Sequence, residues 1–255
     1  MKILLNGIGG FMGREVVRAA QRGYAEAELI GGIDLMGSTD AQVPCAGSFA
    51  QAKELFPRNT ADCLIDFSNH VCTGELLEFA VSTQIPLVIA TTGHTQQELA
   101  AITQAAREIP IFHSANMSVG VALLVKLAKA TAAAMPDAEI EIIEKHHDRK
   151  LDAPSGTAMM LYKELSTVRP DATAHLGRSG NAKRTPNEIG IHSIRMGNLV
   201  GEHQVIIGTA TQAITLTHEA FDRALFAEGA LVAASFIKNC QPGLYNMQDL
   251  LEKEG

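Results

Sequence analysis

The chain has 255 residues, of which 46% are apolar and 19% charged, and a formal net charge of −7. That length holds one large domain or two smaller ones, and the acidic balance without a long basic run argues against a nucleic-acid binder, which presents a basic face. No apolar run reaches the ~18 residues of a membrane span, and the start, MKILLNGIGGFMG, lacks a secretory signal, so no membrane partner and a cytoplasmic location are expected.

Short apolar runs alternate with helical patterns through the first half. Lys2–Asn6 reads as a strand, Arg14–Arg22 as a helix and Leu29–Asp34 as a second strand. Further strands are predicted at Leu64–Phe67, Pro86–Ala90 and Ile111–His113, with helices at Val71–Ser82 and Gln96–Glu108. Such βαβ alternation predicts an α/β fold: a Rossmann-like, doubly wound parallel sheet. The pattern changes at Ser118, where a long helix over Val119–Met135 begins. A strand at Glu139–Glu144, a helix at Ser155–Ser166 and a polar loop at Gly177–Asn187 follow. Three strand-like runs, Glu188–Arg195, Glu202–Thr209 and Ala213–His218, then predict an open antiparallel or mixed sheet in a second, α+β domain. Ala220–Ile237 reads as a strong helix. Cys45, Cys63, Cys72 and Cys240 are scattered, with no CxxC pair, so reduced thiols are expected and no metal site.

Gly7-Ile8-Gly9-Gly10-Phe11-Met12-Gly13 joins the first strand to the first helix. Glycines there allow a tight turn and let backbone N–H groups approach a pyrophosphate. Met12 stands where GxGxxG has its third glycine, so the spacing is closer to GxxGxxG. An ordinary tight βα turn is the alternative. Asp34 ends the second strand, 21 residues past Gly13, with no arginine beside it. An acid there binds the ribose 2′-hydroxyl of NAD and repels a 2′-phosphate; a solvated strand-end Asp is the alternative. Ala90-Thr91-Thr92-Gly93 and Ser114-Ala115-Asn116-Met117 lie at predicted strand ends, where open α/β sheets bind ligands. Each is also readable as a polar loop.

The segment Glu144–Thr157 reads EKHHDRKLDAPSGT. It concentrates cations just after a strand and then turns into a helix. Ser155, Gly156 and Thr157 N–H groups at that turn suit a carboxylate, Lys150 adds a point charge, and a histidine supplies a proton near neutral pH. Singly, these residues also fit a solvated face and a plain helix cap. Together they fit a small dicarboxylate.

At this point the chain resembles 4-hydroxy-tetrahydrodipicolinate reductases, also called dihydrodipicolinate reductases, nearly end to end. The likeness is carried by GIGGFMG, DFS at 66–68, ATTG at 90–93, SANMSVGV at 114–121, EIIEKHHDRKLDAPSGTA at 141–158 and EIGIHSIRMGNLVGEH at 188–203. Ala90 stands where many relatives carry Gly, Met117 where many carry Phe, and Asp148 and Arg149 fill the middle of HHxxK. The resemblance implies NADH or NADPH as cofactor, with Asp34 favouring NADH. It implies hydride addition to C4 of an unsaturated cyclic imine, with His146 and Lys150 as the proton-donating pair. It implies substrate contacts from His147, Ser155, Gly156 and Thr157. It implies cofactor contacts from Gly7, Ile8, Gly9, Gly10, Phe11, Met12, Asp34, Phe67, Ala90, Thr91, Thr92, Ser114, Ala115, Asn116 and Met117. It also implies a cofactor domain at 1–117 rejoined by 220–255, a substrate-binding domain at 118–219, and a homotetramer. Two rivals are a dehydrogenase acting on aspartate or homoserine and a non-catalytic NAD-sensing regulator. The HHDRK–SGT spacing opposes the first, and the intact His146 and Lys150 oppose the second.

Overall fold

A computed structural model of the chain describes residues 1–36 and 43–253. β1 (Lys2–Asn6) leads into α1 (Phe11–Gln21), followed by β2 (Glu28–Ile33), β3 (Cys45–Ala46) and α2 (Phe49–Leu55). β4 (Cys63–Asp66), α3 (Thr73–Thr83), β5 (Leu87–Ile89), α4 (Gln96–Ala105) and β6 (Pro110–His113) continue the alternation. Next come α5 (Val119–Ala134), β7 (Glu139–His146), α6 (Gly156–Ser166), β8 (Thr173–Leu176), β9 (Glu188–Arg195), β10 (Gly201–Gly208) and β11 (Ala213–Ala220). Last are α7 (Ala224–Ile237), β12 (Gly243–Tyr245) and α8 (Met247–Lys253). The chain divides into two units: Met1–Ser118 with Arg223–Gly255, and Val119–Asp222.

In the first unit all seven strands run parallel, in the order β12-β6-β5-β4-β1-β2-β3. Helices cover both faces, which is why β1 and β4 are almost continuously apolar. Alternate residues Leu4, Leu64, Leu87 and Ile111 form one core with Phe49, Leu76, Phe79 and Ile102 from α2, α3 and α4. On the opposite face α7 lies against β4, β5, β6 and α1. Its buried side is mostly alanine, and a Cβ on Gly229 would sit 1.7 Å from the Met117 carbonyl oxygen, so only glycine permits that approach. α4 starts in a capping box: Thr95 Oγ1 accepts the Glu98 N–H and the Glu98 carboxylate accepts the Thr95 N–H.

The second unit is a mixed sheet, β11-β10-β7-β9-β8. β7 pairs in parallel with β9 and antiparallel with β10, and β10 forms an antiparallel hairpin with β11. β9 and β10, though consecutive, thus flank β7 rather than each other. The helical crossover through α6 forces the parallel pairing of β7 and β9. β7 alternates buried and half-buried residues. Its even-numbered residues face a core made with Leu124, Val125, Ala128, Leu161 and Leu165 of α5 and α6. The odd-numbered residues Glu141, Ile143 and Lys145 share the other face with Gln204 and Ile206 of β10 and Thr215 and Thr217 of β11. β11 extends to Ala220 because its ladder with β10 continues to Gly201, so α7 begins at Ala224, four residues later than the apolar pattern suggests.

Candidate functional site

The glycine turn is built for close backbone approach. Gly7 has φ +79°, and a Cβ there would meet the Phe67 carbonyl oxygen at 2.4 Å. A Cβ on Gly13 would meet the Gly7 carbonyl oxygen at 2.1 Å. The Gly7 N–H donates to Ile33 O (2.9 Å) and the Gly10 N–H to Gly7 O (3.0 Å). Gly10, at the N-cap of α1, offers no side-chain cap, and no acid occupies the first turn. Donors at that helix start are therefore left for an anion. The residues present fit a dinucleotide pyrophosphate.

Asp34, 9% exposed, follows β2 directly. Its carboxylate accepts the Gly9 N–H at 2.8 Å and the Met36 N–H at 3.0 Å. It therefore ties the glycine turn to the end of β2. A second brace lies beside it. Asn6 Nδ2 and Ser68 Oγ donate to Asp66 Oδ1 (2.8 and 2.5 Å), and the Ser68 N–H donates to Thr91 Oγ1 (2.9 Å). Burial pushes the Asp66 carboxyl up, against these bonds. Phe67 is half-buried, with its N–H on Asn6 O (3.0 Å). Ser114 Oγ donates to Asn116 O (2.7 Å), Asn116 Oδ1 accepts the Ser118 N–H (2.8 Å), and Met117 is buried. Gly7 to Met12, Asp34, Phe67, Ala90 to Thr92 and Ser114 to Met117 thus all follow the carboxyl ends of neighbouring parallel strands. Ile8 is buried, and Phe11 is exposed with the Arg223 guanidinium 5.6 Å over its ring.

In the second unit, β7 ends at His146, and His147 is the first residue past the strand, with its N–H on Leu199 O (2.8 Å). His146 is 8% exposed. Its Nδ1 lies 2.6 Å from Glu144 Oε2, two residues back on the same face. Arg195 of β9 donates to both Glu144 oxygens at 2.8 Å. Burial pushes the Glu144 carboxyl up, but bonds from His146, Arg195, Ser193 and the Ser155 N–H outweigh it and hold the group well below the usual carboxylate range. His203 of β10 packs edge to face on His146 at 5.2 Å. Burial, then the neighbouring His146, lowers the His203 pKa to about 4.

Ser155 caps α6: its Oγ accepts the Ala158 N–H (3.2 Å) and lies 3.1 Å from His203 Nε2. Its own N–H donates to Glu144 Oε1 at 3.1 Å. Ser155 is thus turned inward, while exposed Gly156 and half-buried Thr157 open the helix. Lys150 Nζ lies 2.7 Å from Asp152 Oδ1, and its backbone N–H closes a turn onto His147 O (3.2 Å). Glu144, Arg195, His203 and Asp152 were not singled out from sequence. The signal for Glu144 was available, because period-2 spacing puts it on the His146 face. For Arg195 and His203 only the sheet pairing supplies it.

A parallel sheet with a glycine turn after one of its inner strands, in a chain whose second unit gathers ionisable groups at one strand end, is the architecture of a two-unit protein of the Rossmann type. The family model described as the N-terminus of dihydrodipicolinate reductase matches residues 1–117, and that of the C-terminus matches residues 120–251. The chain belongs to the dihydrodipicolinate reductase family. It is 41% identical to the 4-hydroxy-tetrahydrodipicolinate reductase of Caldanaerobacter subterraneus, over 99% of each chain. It is 37% identical to that of Clostridium tetani, over 98% of this chain and 97% of the other. Among solved structures, a dipicolinate-bound dihydrodipicolinate reductase from Paenisporosarcina aligns with TM-score 0.81 and 26% identity, over 96% of this chain and 97% of that one. A C. glutamicum DAP dehydrogenase in complex with DAP shares the fold, with TM-score 0.59 and 12% identity, over 97% and 92% of the two chains.

Proposed function

We propose that this protein reduces 4-hydroxy-tetrahydrodipicolinate, or its dehydrated form, to tetrahydrodipicolinate in diaminopimelate and lysine biosynthesis, using NADH in preference to NADPH. It works in the cytosol as a homo-oligomer, a tetramer built from the second unit, while the first unit holds the cofactor. The observation that supports the reading most is the strand end itself. His146, Lys150 and the start of α6 follow one another within a single strand–turn–helix, in a chain aligned end to end with reductases of that name.

When bound, the reduced nicotinamide supplies the hydride. The start of α1, behind a turn whose Gly7, Gly9 and Gly10 N–H groups are held internally, presents backbone N–H groups to the pyrophosphate, and Asp34 accepts from the adenosine ribose. Asp34 is nearly buried and already spends acceptor capacity on two backbone N–H groups. A 2′-phosphate beside it would meet a fixed negative charge. Phe67, Ala90 to Thr92 and Ser114 to Met117 line the rest of the cofactor path. On the substrate side, the Gly156 and Thr157 N–H groups with the Thr157 hydroxyl hold one carboxylate, and His147 contacts the other end. Negative charge that develops toward the ring nitrogen is met by the Lys150 ammonium and a proton from His146.

The test is a coupled assay in which the cyclic substrate is generated in place and each cofactor is varied. The expected result is turnover with both cofactors and a higher kcat/KM for NADH, with inhibition by pyridine-2,6-dicarboxylate. No turnover with either cofactor would overturn the reading; a clear NADPH preference would overturn the role given to Asp34.

A further inference from the structure

The Glu144 carboxylate is fully buried, yet it is the meeting point of three elements. It takes two hydrogen bonds from Arg195 of β9, the backbone N–H of Ser155 at the cap of α6, and a contact with His146 Nδ1 on its own strand. An ionised carboxylate accepts hydrogen bonds and donates none, so the hydrogen between it and His146 belongs to Nδ1. The other ring nitrogen is treated differently. Nε2 points toward Gly201 of β10, where a Cβ would lie 3.1 Å from it. The missing side chain leaves room at Nε2.

We propose that Glu144, clamped by Arg195, is the positioning residue for His146: it keeps Nδ1 protonated and reserves Nε2 for the proton that passes to the substrate. The inference rests on the proposed function and deepens it. Because the same carboxylate holds the Ser155 N–H, it also sets the start of α6 relative to the imidazole. Proton donor and carboxylate cradle are thereby referenced to one buried charge. Arg195 makes that charge tolerable in the interior; without it the carboxylate would keep only His146, Ser193 and the Ser155 N–H as partners.

The experiment reads the His146 ring directly. Ring 15N spectra of the wild-type protein, recorded without substrate and above neutral pH, are assigned by the signal lost in His146→Gln. Nδ1 is expected to give the resonance of a protonated nitrogen and Nε2 that of an unprotonated one. Glu144→Gln alone leaves Arg195 unpaired and risks unfolding, so it is combined with Arg195→Met, which removes both charges. That double variant should lose roughly 10²-fold in kcat, the lower end of what a placed acid contributes, and its ring should shift toward the Nε2–H tautomer. Its KM for NADH should hold, since the cofactor site lies in the other unit. A wild-type ring protonated on Nε2 but not on Nδ1, or a folded double variant with native kcat and native tautomer, would overturn the proposal. If the double variant does not fold, the wild-type spectrum decides alone. Wild-type turnover measured on the same sample keeps failure of the reaction assignment distinguishable, because the tautomer is read without it.

Discussion

Lys150 and Thr157 separate two kinds of contribution to one reaction. The Lys150 ammonium sits 2.7 Å from the Asp152 carboxylate, an exposed partner that a substrate carboxylate or developing charge could replace. A group needed as charge develops should show in kcat. Lys150→Ala is expected to lower kcat by roughly 10²–10⁴, the range for a positioned acid, whereas Thr157→Ala should mainly raise KM. Steady-state kinetics with folding checked by circular dichroism decides: a folded Lys150→Ala enzyme with near-native kcat would leave Lys150 a binding residue only. His203 carries a second residue-scale consequence. Its folded pKa, about 4, lies below the ordinary histidine value because burial disfavours the cation. The unfolded chain therefore takes up a proton first as pH falls, so the stability contributed by neutral His203 is present above about 6.5 and drains away toward about 4. Urea unfolding at pH 7 and pH 5 should show a larger loss for wild type than for His203→Gln. Equal losses would mean that His203 is not buried in its neutral form.

Elements tell which parts of the fold were legible. β1 lies on the run read from sequence, because a buried parallel strand writes a continuous apolar segment; β9 also lies on its run, although only its first half is buried. β3 and β12 have two and three residues, too short for any period. β8 is an edge strand whose residues are mostly exposed, so no alternation marks it. α2 was readable: Ser48 accepts the Gln51 N–H, and Phe49, Ala52 and Phe56 recur at helical spacing. The site divides the same way. Backbone devices, such as the glycine turn and the cap at Ser155, are visible as local motifs. The Glu144–Arg195 pair joins residues brought together by the β7–β9 ladder, and Ser155's inward orientation depends on it. The glycine turn supports a prediction of its own. Gly13→Ala would put a methyl 2.1 Å from the Gly7 carbonyl oxygen, so the turn must shift. Stability should fall by about 1–3 kcal/mol, as in other overpacked sites, and NADH affinity should drop at least tenfold by fluorescence titration. Gly74→Ala in α3, where a Cβ meets nothing within 4 Å, is the control and should leave NADH binding unchanged. Similar NADH affinities in the two variants would remove the turn from the cofactor site.

At the scale of the whole molecule, the five-stranded sheet is covered by helices on one face, while the other mixes apolar and charged residues. Ile143, Ile194 and Ile206 lie there among Lys145, Glu141 and Glu202, with Lys145 Nζ 2.6 Å from Glu202 Oε1. A β-sheet face with isoleucines in its rows and ion pairs around them suits burial against another copy. Light scattering at micromolar concentration should report an assembly larger than a monomer, and Ile206→Lys should reduce it. A wild-type monomer would contradict the oligomer. Among the described residues no helix is long and apolar enough to cross a membrane.

The first unit is assembled from the two ends of the chain, with the second unit inserted between Ser118 and Arg223. That arrangement has a temporal meaning. During synthesis, β1 to β6 emerge early but one face of their sheet has to wait for α7, whose Leu231, Ala234 and Ile237 fill it, and β6 waits for β12 as its edge partner. The inserted unit, by contrast, is continuous and has its own core, so it can close while the nucleotide unit is still open. A chain truncated just before Ala224 would therefore keep a protease-resistant second unit preceded by a protease-sensitive sheet, and cofactor binding would require α7 to be in place.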